Sequence, residues 1–247
     1  MTDGTTGRAM DGRPTDGEPT DDGPTDDGPT DDEVPGPTEW GGSVGVGPWV
    51  GPWPTDPQYD RELLAEGDRR NVVDRYRYWR LEAVVADLDR RRHPFHVAIE
   101  NFEHDLNIGT VVRTANAFLA AEVHVIGRRR WNRRGAMVTD RYQHLRHHPE
   151  VTGLLEFAAA EDLTVVAVDN GPGAVPLETV SLPRRCVLLF GQEGPGLTPA
   201  ARDAAALTVS IAQFGSTRSL NAGVAAGIAM HAWVREHADL SPVREGG

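Results

Sequence analysis

LLFGQEGPGL, residues 188–197, is the stretch from which the rest of the chain is read. An apolar run, Val187–Leu188–Leu189–Phe190, enters a turn holding Gly191, Gly194 and Gly196. A short apolar run bounded by glycine reads as a buried strand. Glycine reaches positive φ without strain and lets a ligand approach the main chain closely. One carboxylate, Glu193, sits inside the turn. In an open α/β sheet, ligands gather where strands end in such loops.

Outward from this loop, strands and helices alternate. FHVAIE (95–100), EVHVIG (122–127), LTVVAVDN (163–170), CVLLF (186–190) and LTVSIA (207–212) read as strands. NIGTVVRTANAFLA (107–120), TGLLEFAAAED (152–162), TPAARDAA (198–205) and LNAGVAAGIAMHAWVREH (220–237) read as helices. Thr198 is placed to cap the third of these, with Pro199 at its first turn. Short apolar strands alternating with helices predict an α/β domain around a mostly parallel sheet flanked by helices. Before it, Asp60 to Arg92 carries apolar residues at intervals of three and four and reads as one or two helices.

The formal charge of −12 is unevenly spread over the 247 residues. Of 37 acids, 14 fall in residues 1–60 beside two Arg, so the other 187 residues hold 23 acids and 23 Arg and are neutral. The first ~40 residues repeat Pro, Thr, Asp and Gly with almost nothing apolar to bury, which predicts a disordered acidic tail. Residues 40–57 add three Trp among Gly and Pro, and either dock on the domain or link to it. The divisions are therefore 1–57 tail and linker, 58–93 helical extension and 94–239 main domain. A single Cys, Cys186, excludes an internal disulfide and a thiolate zinc site. With no 18-residue apolar run and no apolar leader, a cytoplasmic protein without a membrane partner is expected.

Three strand exits hold polar residues at close spacing: NFEHDLNIGTVVR, GQEGPGL and QFGSTRSLN. On a helix wheel with Ile108 at zero, the apolar residues span about 280° through zero to about 40°, and Arg113 falls near 140°. Arg113 thus lies off the core face, either simply solvated or presented to an anion or a partner subunit. The third exit sets Gly215, Ser216, Thr217, Arg218, Ser219 and Asn221 at a helix start, an arrangement suited to a polar or anionic ligand. Small residues from Ala222 to Ala229 predict close backbone packing behind it. Residues 128–148 hold seven Arg, one Asp, Trp131 and Tyr142. Arg128, Arg129, Arg130, Arg133 and Arg134 suit phosphate contacts, and the aromatics suit base stacking. His144, His147 and His148 come without an acid or Cys pattern, so no metal is expected.

The ordered set N-x-G-x-x-x-R (107–113), L-x-x-G-x-E-x-x-G-L (188–197) and S-L-N-x-x-x-A-x-x-I (219–228) resembles the three motifs of the SpoU/TrmH-type RNA methyltransferases of the SPOUT superfamily. The resemblance covers roughly residues 95–237. It implies an α/β fold with a C-terminal deep trefoil knot, a homodimer, and methylation of a ribose 2′-hydroxyl in tRNA or rRNA. It implies S-adenosylmethionine as cofactor, held by Phe190, Gly191, Gly194, Gly196, Leu197, Ile211, Gly215, Ser219 and Leu220. It assigns the polar active-site positions to Asn107, Arg113, Glu193, Ser219 and Asn221. Related sequences often read Ile-Pro-Met where this one reads Ile211–Ala212–Gln213, so the resemblance supports a contact at Ile211 and not at Gln213. Because a guanidinium does not act as a base in proteins, Arg113 is assigned to stabilising a developing alkoxide and clamping phosphate. Glu193 is assigned to orienting Arg113 or the loop. Two rivals differ in class. A catalytically silent RNA-binding protein of the same fold would lack cofactor binding. A dinucleotide-dependent oxidoreductase would need G-x-G-x-x-G after the first strand, where this chain reads NFEHDLNIG.

Overall fold

The computed structural model describes residues 45–102, 107–192 and 194–241. The expected disorder of residues 1–40 and the role assigned to Glu193 lie outside them. The extension holds α1 (Arg61–Glu66), a 3₁₀ turn (Asp74–Tyr76) and α2 (Leu81–Asp89). Then follow β1 (Phe95–Asn101), α3 (Ile108–Ala117), β2 (Val123–Gly127), β3 (Leu145–His148), α4 (Val151–Ala160), β4 (Thr164–Val168), β5 (Val175–Pro176), β6 (Cys186–Phe190), α5 (Pro199–Asp203), β7 (Leu207–Ser210) and α6 (Ala222–His237). The strands form one sheet in the order β3-β2-β1-β6-β4-β7-β5, with every pairing parallel.

The sheet is covered on both faces, as a parallel sheet requires. Alternate residues of a strand face opposite sides. Phe95, Val97, Ile99, Leu188 and Phe190 pack with Val111, Val112 and Ala115 of α3 and with Ala226, Met230 and Trp233 of α6. Ala98, Val165, Ala167, Val187 and Leu189 pack with Leu154 and Ala158 of α4 and with Ala201 of α5. Trp233 is fully buried, and its indole N–H satisfies the carbonyls of Pro183 and Arg184 at 3.2 Å.

Three elements depart from the pattern. β3 lies inside the stretch read as an Arg-rich loop, because Leu-Arg-His-His has no apolar alternation, and pairing with β2 along the sheet edge makes it a strand. The helix expected over 107–120 ends at Ala117, where Leu119 turns left-handed at φ 56°. β5 is only two residues long.

Residues 45–57, grouped by sequence with the tail, pair with the extension. Val46 and Asp68 exchange backbone hydrogen bonds at 2.9 Å, and Trp49 packs edge-on against Tyr59 and Tyr78. The extension in turn buttresses the 128–148 segment. Tyr142 is buried with Tyr76 and Val84. The Arg92 guanidinium donates to the carbonyl of Tyr142 at 2.7 Å and to Gln143 at 3.1 Å. From the other side, α3 meets the 3₁₀ turn Arg133–Ala136 backbone to backbone: a Cβ on Gly109 would lie 2.7 Å from the Ala136 nitrogen and 2.8 Å from the Gly135 Cα.

Gly109→Ala should therefore destabilise the fold by about 1–3 kcal/mol, the usual cost of overpacking, despite the higher helix propensity of Ala. Urea melts of the two proteins measure it; an equal or higher midpoint for the variant would show that this contact yields.

Candidate active site

A cavity of about 430 Å³ opens where β4, β6 and β7 end. One wall is the loop after β6, which brings Phe190, Gly191, Gly194, Gly196 and Leu197 together. Its shape follows from glycine. A Cβ on Gly191 would stand 2.2 Å from the Gly196 carbonyl carbon and 2.3 Å from the Leu197 nitrogen, so no other residue fits there without moving backbone. Gly194 and Gly196 take φ of 92° and 72°. The Gly196 N–H closes the loop on the Gln192 carbonyl at 3.1 Å.

The loop is fastened at both ends to the sheet. The Gln192 side-chain oxygen accepts from the Phe102 N–H at 3.2 Å. The fully buried Glu100 carboxylate at the end of β1 accepts from the Thr198 N–H at 2.8 Å and hydroxyl at 2.6 Å. Thr198 also caps α5 by accepting from the Ala201 N–H. Burial raises the Glu100 pKa, and the Thr198 hydrogen bonds oppose that shift without cancelling it.

The second wall is the segment from β7 to α6, where Ile211, Ser219, Leu220 and Asn221 line the cavity. Gly215 lies outside the lining, beside Phe214, which is 97% exposed. Gln213 does line the cavity, and its side-chain oxygen is buried without a hydrogen-bond partner. A third wall was not foreseen from sequence. Asp169 and Asn170, just past β4, line the cavity with Arg202 of α5. Arg202 donates to the Asp169 carboxylate at 2.8 and 3.1 Å, and the Asn170 amide donates to the Arg218 carbonyl, joining two walls. An acid near the end of a predicted strand, at Asp169 within 163–170, was the available signal.

At the cavity's rim, α3 and α6 meet through their first turns. Asn221 caps α6 by accepting from the Gly223 and Val224 N–H groups at 3.0 and 3.2 Å. Its amide donates to the Asn107 side-chain oxygen at 2.8 Å. Asn107 holds the N-cap position of α3 without capping it through its side chain. Gly223 admits the Thr110 methyl, which a Cβ there would meet at 3.0 Å. Thus Asn107, Ser219 and Asn221 are gathered at one place. Arg113 is exposed on α3 and lies outside the cavity lining.

Arg128, Arg129, Arg130, Arg133 and Arg134 are all exposed. Their loop is anchored by Asn101 at the end of β1, whose amide donates to the carbonyls of Arg128 and Arg130 at 2.7 and 3.0 Å. Tyr142 is buried in the extension and is not available for stacking, while Trp131 packs partly buried against the sheet core. Among the described residues, no helix is long and apolar enough to cross a membrane.

A parallel sheet with a glycine-built cavity at the strand ends, and two asparagines joined across the helix starts beside it, defines a ligand-binding α/β protein of the class met in nucleotide- and cofactor-dependent enzymes. Residues 94–231 match the model of the SpoU rRNA Methylase family, and the chain belongs to that family. It is 32% identical over 146 residues to the uncharacterized tRNA/rRNA methyltransferase YfiF of Escherichia coli O157:H7, covering 57% of this chain and 42% of that protein. It is 25% identical over 158 residues to the tRNA (guanosine(18)-2′-O)-methyltransferase of Escherichia coli K12, covering 63% of this chain and 68% of the relative. The chain thus spans under half of the first relative and about two thirds of the second. Among solved structures, the SpoU methyltransferase AviRb from Streptomyces viridochromogenes, in complex with AdoMet, is similar at 25% identity and TM-score 0.54, over 60% of each chain.

The raised Glu100 pKa has a signed consequence. A carboxyl that titrates higher folded than unfolded contributes stability below the ordinary carboxylate range and loses it as pH rises through the folded value. Glu100→Gln should remove that loss, so its urea midpoint should fall less than that of the wild type between about pH 4 and about pH 7. An identical pH profile for the two proteins would exclude Glu100 as the source.

Proposed function

We propose that this chain is an S-adenosylmethionine-dependent RNA methyltransferase that modifies a ribose 2′-hydroxyl of tRNA or rRNA in the cytoplasm. The observation that carries the reading is the Gly191 cradle. The cavity is walled by backbone at a position where even one methyl group would collide, and its volume lies in the range of cofactor pockets. The donor and acceptor set fits the cofactor. Gln213 offers a buried acceptor to an N–H group, Asp169 offers a carboxylate toward an ammonium or a ribose hydroxyl, and Ile211 and Leu220 offer apolar walls. The AdoMet-bound AviRb and the guanosine-2′-O-methyltransferase relative support the same chemistry. The cofactor, when bound, supplies an electrophilic methyl group on a sulfonium.

The chain's own residues then orient and polarise. Asn107 and Asn221, tied to each other at 2.8 Å, hold the starts of α3 and α6 in fixed register beside the cavity. Arg113, exposed one turn and a half along α3, receives the substrate phosphate and stabilises charge developing on the hydroxyl oxygen. Glu193, next to Gly194 in the loop, orients Arg113 or the loop itself. Positioning of the hydroxyl can lower the barrier by at most about 7–11 kcal/mol. A homodimer is part of this reading. Arg113 lies outside the lining of its own cavity, and Val224 (52% exposed), Ile228 and Leu220 leave an apolar strip on and before α6. A deep trefoil knot through the loops after β6 and β7 is also part of it, supported by the strand order that sets β6 between β1 and β4.

Calorimetry should detect S-adenosylmethionine binding to the purified chain; absence of binding, with RNA also present, would favour a silent RNA-binding protein of the same fold. Arg113→Ala should abolish methyl transfer with cofactor affinity nearly unchanged, since the residue packs into no core. Retained turnover, or an equal loss of cofactor binding, would overturn its assigned role. Mass spectrometry of nucleosides from RNA incubated with each protein reads the transfer.

The exposed Arg cluster makes the RNA side testable. Replacing Arg128, Arg129 and Arg130 together should weaken RNA binding. It should also flatten the log–log salt dependence by roughly 0.7–0.9 for each phosphate that is no longer neutralised. An unchanged slope would place the RNA elsewhere. The alternative basic set is Arg75, Arg77 and Arg80 of the extension, of which Arg75 and Arg77 are held by Asp87 and by the Arg70 carbonyl while Arg80 is exposed.

A further inference from the structure

The α4 face of the sheet carries a polar group that neither the cavity nor the RNA surface uses. His96 on β1, His124 on β2 and His148 on β3 form a continuous row. His96 Nδ1 lies 3.0 Å from His124 Nε2, and His124 Nδ1 lies 2.9 Å from His148 Nε2. Glu122, just before β2, stands beside the first pair, and its ligand oxygen and the two ring nitrogens all lie within 4.8 Å of one another. Three imidazoles are costly at positions where Ala98 and Ile126 of the same strands are plain core. His96, Glu122 and His124 lie at the starts of β1 and β2, at the opposite end of those strands from the cavity, and His148 closes β3.

We propose that His96, Glu122 and His124 form a binding site for one divalent transition-metal ion of the Zn²⁺ class, with a water completing the set. The donors are two imidazole nitrogens and one carboxylate, a set that zinc accepts with an open fourth position. Ligand nitrogens of a tetrahedral zinc stand about 3.3 Å apart, so the His96–His124 gap needs to open by only a few tenths of an ångström.

The outer partners of such a site are already in place. A ligating imidazole characteristically engages a second group through its other nitrogen. His124 does so with the buried His148, whose ring fits against Gly153 of α4, where a Cβ would approach it to 3.2 Å. Glu122 is held by the Arg146 guanidinium at 3.0 Å. Arg146 itself lies over the Phe157 ring at 4.6 Å, with its side chain 49% exposed. The charged groups facing the site are Arg146 and Arg185, with Glu122 as the anion paired to Arg146. With Glu122 16% exposed, an ion has a path from solvent. A bound ion would tie the start of β1 to the start of β2, next to the edge strand that follows the Arg-rich segment.

The test uses the full chain, stripped of metal and kept in excess Mg²⁺ so that the acidic tail is occupied. Calorimetric titration with ZnCl₂ should show one equivalent per chain, and CoCl₂ should give the visible d–d absorption of a low-coordinate ion. The Tm should rise until one equivalent is bound. His96→Gln and Glu122→Gln, both at partly exposed positions, should each weaken binding by at least about tenfold. Both should lose the rise in Tm while melting cooperatively without metal. Two variants are used so that a folding failure in one leaves the other to read. His144→Gln, which alters an exposed histidine paired with Asp89, should bind as the wild type does. Less than one equivalent in the wild type, or undiminished binding in either folded ligand variant, would overturn the proposal and leave the row a hydrogen-bonded ladder.

Discussion

The architecture of the site rests on a contact in which a side chain is forbidden. At Gly191 the chain leaves β6 and is met at once by its own backbone at Gly196 and Leu197, where a Cβ would stand 2.2 Å away. That distance is far inside van der Waals contact, so a methyl group there would open the loop rather than strain it. Everything at the cavity depends on the loop staying closed. It brings Gly194 and Gly196 to the rim, sets Thr198 against Glu100, and lets α5 start where Arg202 can reach Asp169. The cavity is less a gap between elements than the inside of a turn drawn tight.

A second glycine performs the corresponding service between the site and the basic surface. Gly109 lets α3 lie directly on the turn Arg133–Ala136, so the helix that carries Asn107 and Arg113 and the loop that carries the Arg cluster share one rigid boundary. The extension closes that loop from the far side through Arg92, Asp89 and Tyr142. The segment is thus held by α3, by the extension and by Asn101 under Arg128 and Arg130. This gives the helical extension a physical role even though it lies outside the family match: it limits how far the Arg-rich surface moves relative to α3.

What was legible in the sequence follows from which signals are local. β1, β2, β4, β6 and β7 are apolar runs, and a run needs no partner to be seen. The cap at Thr198 is local as well, since its side chain bonds to an N–H group three residues ahead; the cap at Asn221 was not read, the helix being placed one residue before it. β3 was not legible, because its strand character comes from β2 and not from Leu145–His148. Asp169, Arg202 and Gln213 were missed for a related reason: they converge from three strand exits, and no spacing along the chain records the convergence. Tyr142 misled in the opposite direction. It looks like a stacking platform beside arginine, yet it is buried with Tyr76 and Val84, where it holds the loop down. The histidines divide in the same way, since His147 and His148 are neighbours in sequence while His96, His124 and His148 are neighbours in space.

The distribution of charge completes the functional picture. Residues 61–247 are neutral overall, but 128–148 carry seven Arg against one Asp, so the remainder of that body carries a balancing negative charge of six. Many of those other charges are paired internally, as in the Asp87 cluster with Arg75, Arg90 and Arg91. The exposed Arg128–Arg134 stretch is therefore a local positive surface on a body that otherwise repels a polyanion. A field of that form adds little to net attraction at long range, because it is screened within about 8–10 Å at ordinary ionic strength. Under the proposed function it would act on orientation: an approaching RNA would be accepted on one face and turned away from the others. That face adjoins α3, so under the proposed function a surface that received the phosphate backbone would also deliver a nucleotide toward Arg113 and the rim where Asn107 meets Asn221.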